Sequence, residues 1–520
     1  MESREMKFFQ RIADLVNDYA NPVMVKELRQ SVQSRLVILL LLLFLFGNVV
    51  AVCSYLTFNV HLQTNPQAGR ELFQGLFTLL ASTTIIFVPV YTAVRMTMER
   101  NNSNMDLLFI TTLPPQKIVL GKLWAAIALT SLIYSACLPF LTLTYLLRGI
   151  DLPSIFSALV CAFLITTVLN MGAIFVGSVQ GTGFLRLLLA AAFLYAVGLS
   201  IGAAIGTGYT ISRVGVTSMF GSWEAWGVFG TIFIAGLGAF FLEFFLAVAA
   251  MSPRSSNRMF PTRVYLTVCW GLSLLVALCW SYRITTGPDE IMTVWMVMSI
   301  TTLSSVFGLV LAEREQWGVR VKKTIPRNLI GRSLAFLFYT GSAGGVIWCS
   351  LLVVSTFLIW QASQVVWSSS NWDMERNFYH SVILAMLYVW CYGMTGLYLR
   401  RLLFPKTAPL MNTILGLVLF AICSTVPVLI ANYVFDIRGI HELPVWSVIM
   451  NPFSVLNDQH FDRRIAVAFV LSWSLVGLLV NIPWFRQQWN EFRRHETQVS
   501  PLSETPETPA QEVEAAVING

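Results

Sequence analysis

The chain has 520 residues, of which 56% are apolar and only 12% are Asp, Glu, Lys or Arg, with a formal net charge of +7. A soluble globular protein carries about twice that charged fraction, roughly 25%, and the mean hydropathy here is +0.67. These values exclude a secreted disulfide scaffold, a nucleic-acid-binding domain and an ordinary cytosolic enzyme, and they point to an all-α polytopic membrane protein.

The first element follows a polar start. Asn21 suits an N-cap and Pro22 the first helical position. Val25, Leu28 and Val32 then fall at i, i+3 and i+7, one apolar stripe, with Lys26, Arg29 and Gln33 on the other side. The pattern predicts an amphipathic elbow helix on the cytoplasmic membrane surface, carrying Pro22, Lys26, Glu27 and Arg29 and bending into the first span.

A helix needs about 20 apolar residues to cross the hydrocarbon core. Twelve runs qualify: Leu36–Phe58, Leu72–Val94, Leu123–Leu147, Ser154–Val179, Phe184–Gly208, Gly227–Ala250, Val264–Tyr282, Ile291–Leu311, Leu334–Trp360, Phe378–Leu399, Thr413–Phe435 and Ile465–Phe485. With both termini inside, the inner loops hold 26 of the 34 Lys and Arg residues, the bias expected of cytoplasmic loops. The chain then divides into a cytoplasmic segment 1–35, six spans over 36–250, a linker 251–263, six spans over 264–485 and a tail 486–520. The end of that tail is Pro-, Thr- and Glu-rich, a disordered composition.

The segment 95–122 has two parts. Met105, Leu108 and Phe109 make an apolar face on a short helix predicted from about Asn104, and Pro114-Pro115 breaks it and starts the next helix. An exposed apolar face there needs a partner: the bundle itself, lipid or another protein.

NPVMVKELRQ before the first span resembles the start of many type 2 ABC exporter permeases. So does the run Glu99-Arg100, Asp106-Leu107-Leu108, Thr111-Thr112-Leu113-Pro114, Lys117-Ile118-Val119-Leu120-Gly121-Lys122. The likeness covers residues 20–150 and fades afterwards. It implies that the segment after the second span couples to a separate ATPase subunit, through Glu99, Arg100, Asp106, Leu108, Phe109 and Pro114. It implies the inner membrane of a bacterium, with ATP and Mg on the partner and no cofactor on this chain. Such permeases have six spans where this chain has twelve, and Asn104-Met105 stands where a Gly-Thr is common. A second acidic-basic pair, Glu313-Arg314, ends the eighth span and is followed by Pro326 and Gly331-Arg332. Two six-helix halves, and a six-helix core with six added helices, both fit this echo; so do a homodimer and a pseudo-dimer.

Gly121-Lys122 is followed by Leu123, so the chain has no phosphate-cradling G-x-x-x-x-G-K-[ST] loop. Glu243 is the one Asp, Glu, Lys or Arg in the interior of a predicted span, where a charge costs at least ~2.5–3.5 kcal/mol. A stripe of Gly236, Ala239, Ala247 and Ala250 beside it predicts that it faces another helix, as a conduit or protonatable group or as a structural hydrogen bond. Gly198, Gly202 and Gly206, and Gly341 and Gly345, predict close helix contacts; Pro89, Pro139 and Pro427 predict kinks. The eight cysteines lie in apolar runs as packing residues. The five histidines, with Asp458 and Asp462 near His460, form no metal set of fixed spacing.

The leading expectation is therefore a non-enzymatic permease subunit, a partner of an ABC ATPase in a lipid membrane, with no nucleic acid. The alternative is a twelve-helix secondary transporter, for which one intramembrane glutamate is thin provision. A membrane enzyme acting on lipid would need a polar catalytic cluster at one interface, and none is visible.

Overall fold

Backbone polar groups in hydrocarbon must bond within the chain, and a helix does this within a single segment. The computed structural model follows that rule. It describes residues 22–58, 67–101, 114–179, 183–216, 221, 223–253, 255–283, 288–366, 372–405, 407, 409–434, 444–452, 455 and 463–494, and among these there is no strand.

Among the described residues twelve helices are long and apolar enough to cross a membrane. They are α2 (Arg35–Phe58), α3 (Ala68–Asn101), α4 (Pro115–Leu146), α5 (Leu152–Ser178), α6 (Gly183–Val214), α7 (Trp223–Met251), α8 (Phe260–Arg283), α9 (Pro288–Leu311), α12 (Ser342–Val366), α13 (Trp372–Leu403), α14 (Met411–Val434) and α16 (Arg463–Glu491). Four short helices accompany them: α1 (Pro22–Val32), α10 (Val319–Lys323), α11 (Leu329–Phe338) and α15 (Val445–Val448). The chain is an all-α polytopic membrane protein.

Burial separates interior spans from peripheral ones. Helices α5, α9, α12 and α13 bury about half of their most apolar stretch, whereas α2, α6, α7, α8, α14 and α16 bury far less. The peripheral helices turn Leu39, Leu43, Phe46, Leu199 and Leu475 outward, which costs nothing where the solvent is hydrocarbon. Hydroxyls inside the bundle are returned to their own helix: Thr84 to the Leu80 carbonyl at 2.9 Å, Thr130 to Ala126 at 2.9 Å and Thr166 to Ala162 at 2.8 Å.

Helix packing repeats along the chain. Among the first six spans the second packs on the first, third, fourth and fifth, and the fourth on the fifth and sixth. Among the last six, the eighth packs on the seventh, ninth, tenth and eleventh, and the tenth on the eleventh and twelfth. The principal joint between the two sets is α7 against α8.

Several expectations shift. The predicted ninth span, Leu334–Trp360, is cut by a break at Tyr339–Gly341: Leu334–Phe338 belongs to α11, and the span itself is Ser342–Val366. Helix α3 runs on to Asn101, into the predicted loop 95–122, while α4 starts at Pro115 as the proline pair predicts. Helix α8 starts at Phe260, inside the predicted linker, and α16 continues to Glu491, inside the predicted tail. Gly198, Gly202 and Gly206 meet nothing where a Cβ would stand, so that glycine stripe makes no close contact among the described residues. Gly341 and Gly345 do, against Trp317 and against Arg263 and Val310. The tightest crossing of α13 with α14 is at Gly396, where a Cβ would meet the backbone of Asn412 and Gly416. All eight cysteines are free; Cys137, Cys349 and Cys391 are buried, while Cys53 and Cys279 are exposed.

Candidate functional site

Pro114 is extended, with φ −69° and ψ 146°, and Pro115 opens α4. Two turns later the helix carries Lys122 into the protein, where it is buried. Its Nζ donates to Glu27 Oε1 of α1 and to Glu99 Oε2 of α3, both at 2.5 Å. Arg95, one turn before Glu99 on α3, lies 3.8 Å from Glu27 Oε2 and donates to Gln30 Oε1 at 2.5 Å. Lys26 approaches Glu99 to 3.9 Å from the exposed side. Three helices that are separate in sequence are thus tied by two carboxylates and three cations.

This arrangement is directional. Helix α1 buries Glu27 and Ser31 while Val32 is exposed. Its buried residues are thus polar, Val25 and Leu28 of the apolar stripe are half-buried, and Lys26, Arg29 and Gln33 are exposed beside Val32. A small cavity opens beside the cluster, lined by Glu27, Ser31, Tyr91, Arg95, Lys122 and Leu129 among others. The Tyr91 hydroxyl and Arg95 Nε are buried without a hydrogen-bond partner among the described residues.

The predicted site residues divide accordingly. Lys26, Glu27 and Glu99 come together; Pro22 starts α1 and Pro114 caps α4. Arg29 is exposed on α1 outside the cluster. Arg100 lies on the last turn of α3. Asp106, Leu108 and Phe109, with the short helix predicted from Asn104, lie outside the described residues, as do His61, His441, Asp458, His460, Asp462 and His495.

A second cluster, which the sequence reading missed, lies among the later spans. Arg263 in the first turn of α8 is 2% exposed. It donates to Glu313 Oε2 at 2.5 Å and to the carbonyls of Leu337, Tyr339 and Gly341 at 2.7, 2.6 and 3.0 Å. The Gly341 N–H also donates to Glu313, at 2.8 Å. Burial pushes the Glu313 carboxyl up, against the downward pull of Arg263 and the Gly341 N–H. Nearby, Arg400 is ion-paired with Glu315. Glu313 of the second acidic-basic pair and the Gly341–Gly345 spacing were legible in the sequence; Arg263, which joins them, was not.

Glu243 does face another helix. It stands against Gly172 of α5, where a Cβ would come within 3.0 Å of Oε1. Of the predicted stripe, Ala247 is buried, Ala239 is exposed and Gly236 meets nothing. Among the described residues the Glu243 Oε2 atom has no hydrogen-bond partner, nor has either side-chain polar atom of Asn170. Among the described residues no group of three or more His, Cys, Asp or Glu is placed to hold a metal.

No protein-family model matches the chain, and no curated protein or solved structure matches it. A functional reading therefore rests on these clusters and on the motifs that led to them.

Proposed function

We propose that this chain is the membrane-spanning permease subunit of an ATP-driven exporter, working with a separate ATPase subunit. The observation that carries the reading is Lys122 held between Glu27 and Glu99. It ties the elbow helix to both helices that flank segment 102–113, the stretch whose residues resemble a coupling element. A force applied to that segment would reach α1, α3 and α4 together. Lys122 is also spoken for by two carboxylates, so the Gly121-Lys122 pair has no phosphate to hold. The recurrence of the same helix pairings supports a chain made of two six-helix halves, a pseudo-dimer in one polypeptide. Sparse polar groups within the spans favour a lipid-like or amphipathic cargo. Basic inner loops favour a cytoplasmic placement of both termini in a bacterial inner membrane.

The test is mild-detergent purification of the tagged chain from its native membrane, with mass spectrometry. A co-purifying Walker-type ATPase, lost on Leu108→Asp, supports the reading. A chain that purifies alone overturns it. The unpaired Glu243 carboxyl then favours a secondary transporter, in which Glu243→Gln abolishes transport without loss of assembly.

A further inference from the structure

We propose that segment 319–334, comprising α10, the turn after it and the first half of α11, is a binding site for anionic phospholipid. There is no Asp or Glu between Glu315 and Asp373. Within that stretch Arg320, Lys323 and Arg327 are exposed and Lys322 is half-buried. None of the four makes an ion pair among the described residues. Other cations at the same end of the bundle are neutralised inside the protein: Lys122 by Glu27 and Glu99, Arg263 by Glu313 and Arg400 by Glu315. The 319–327 stretch leaves its positive charge, three or four cations close together, for something outside the chain.

The same segment also exposes apolar side chains. Helix α11 buries Ala335 and Phe336 and leaves Leu329 and Ile330 exposed at 71% and 77%, with Leu334 at 53%. Val319 of α10 is exposed as well. The height of α11 is set on two sides. Arg332 donates to the carbonyls of Trp489 and Phe492 at 2.5 and 2.7 Å and lies over the Trp489 ring, so α11 is fastened to the end of the twelfth span. Arg263 holds the Leu337–Gly341 carbonyls at the start of α8. Helix α11 therefore lies where three spans end, and its free apolar face meets the boundary between acyl chains and headgroups. Apolar insertion together with a basic cluster is the pair of signals that holds a segment to an anionic leaflet. Headgroup phosphates supply the charge that the chain withholds.

The experiment is native mass spectrometry of the full chain in detergent, titrated separately with phosphatidylglycerol and phosphatidylcholine. The wild type is expected to bind phosphatidylglycerol in preference. The variant Arg320→Gln/Lys323→Gln/Arg327→Gln is expected to lose roughly fivefold in phosphatidylglycerol affinity per charge removed, with phosphatidylcholine binding unchanged. Arg148→Gln/Arg213→Gln/Arg283→Gln, the same change of net charge at the other end of the bundle, is expected to leave both affinities as they were. Excess inorganic phosphate should not displace the lipid. Should the triple variant aggregate, Leu334→Asn, which keeps every charge, reads the apolar half through faster lipid loss. Equal wild-type affinity for the two lipids, or an unchanged phosphatidylglycerol affinity in the triple variant or in Leu334→Asn, overturns the proposal. So does a protein partner lost from the triple variant while its lipid binding persists.

Discussion

Lys122 and Arg263 perform the same task by different means. Lys122 is a point charge between two carboxylates, whereas Arg263 divides its donors between one carboxylate and three carbonyls. Removing one partner of a buried pair strands the other, at about 3–5 kcal/mol. For Arg263→Met the stranded groups include the Leu337, Tyr339 and Gly341 carbonyls, so it should lower thermal stability in detergent more than Glu313→Leu does. The double variant should not recover the loss; recovery would mean that the carbonyls find other donors. At Glu243 the expectation concerns space. Gly172→Val places a Cβ about 3 Å from the carboxylate and should cost about 1–3 kcal/mol by overpacking. Glu243→Ala in the same chain should return most of it, and stability that stays low in the double variant would put the strain elsewhere.

Helices α1 and α11 are each tied to the bundle by a basic side chain, Lys122 for α1 and Arg332 for α11. Helix α1 buries Glu27 and Ser31, whereas α11 buries Ala335 and Phe336 and leaves Leu329 and Ile330 exposed, and each precedes a span. Pro22 and the stripe of Val25, Leu28 and Val32 made α1 legible, because proline geometry and helical spacing are local. Its orientation was not legible, because it depends on Lys122 some ninety residues later. Glu27→Ala should free α1. Hydrogen exchange of amides 22–32 should rise by roughly tenfold or more, as expected from losing ~1.5–3 kcal/mol of hydrogen bonding to a charged group. Unchanged protection would mean that lipid contact alone holds the helix. Helix α11 was hidden within the predicted ninth span because Leu334–Phe338 runs on apolar into it. The break at Tyr339–Gly341 is held by Arg263, Glu313 and Asn257, which donate to or accept from that backbone.

On the scale of the whole chain, the recurring helix pairs and the narrow α7–α8 joint lead to partly independent stability. The buried thiols of Cys137 and Cys349 lie in the first and second sets of six spans. In chains that retain only one of these cysteines, Lys122→Met should bring labelling of Cys137 by a thiol reagent to a lower temperature and leave Cys349 where it was. A joint shift would show that the twelve spans melt as one unit.

Composition and the lengths of the apolar runs by themselves determined that the chain is all-α and crosses the membrane with twelve helices. These are counts along the chain, and hydrocarbon leaves few alternatives. Local geometry likewise determined that helices begin at Pro22 and after Pro114. Only the tertiary structure decided which charges are buried. Arg263 and Lys122 sit at the polar ends of apolar runs, where a side chain can reach water or a partner, and sequence spacing does not say which. It also decided which glycines matter. Gly172 and Gly396 meet another helix while Gly198, Gly202 and Gly206 meet nothing among the described residues, because a span is apolar on all sides and the pattern does not mark which side faces lipid.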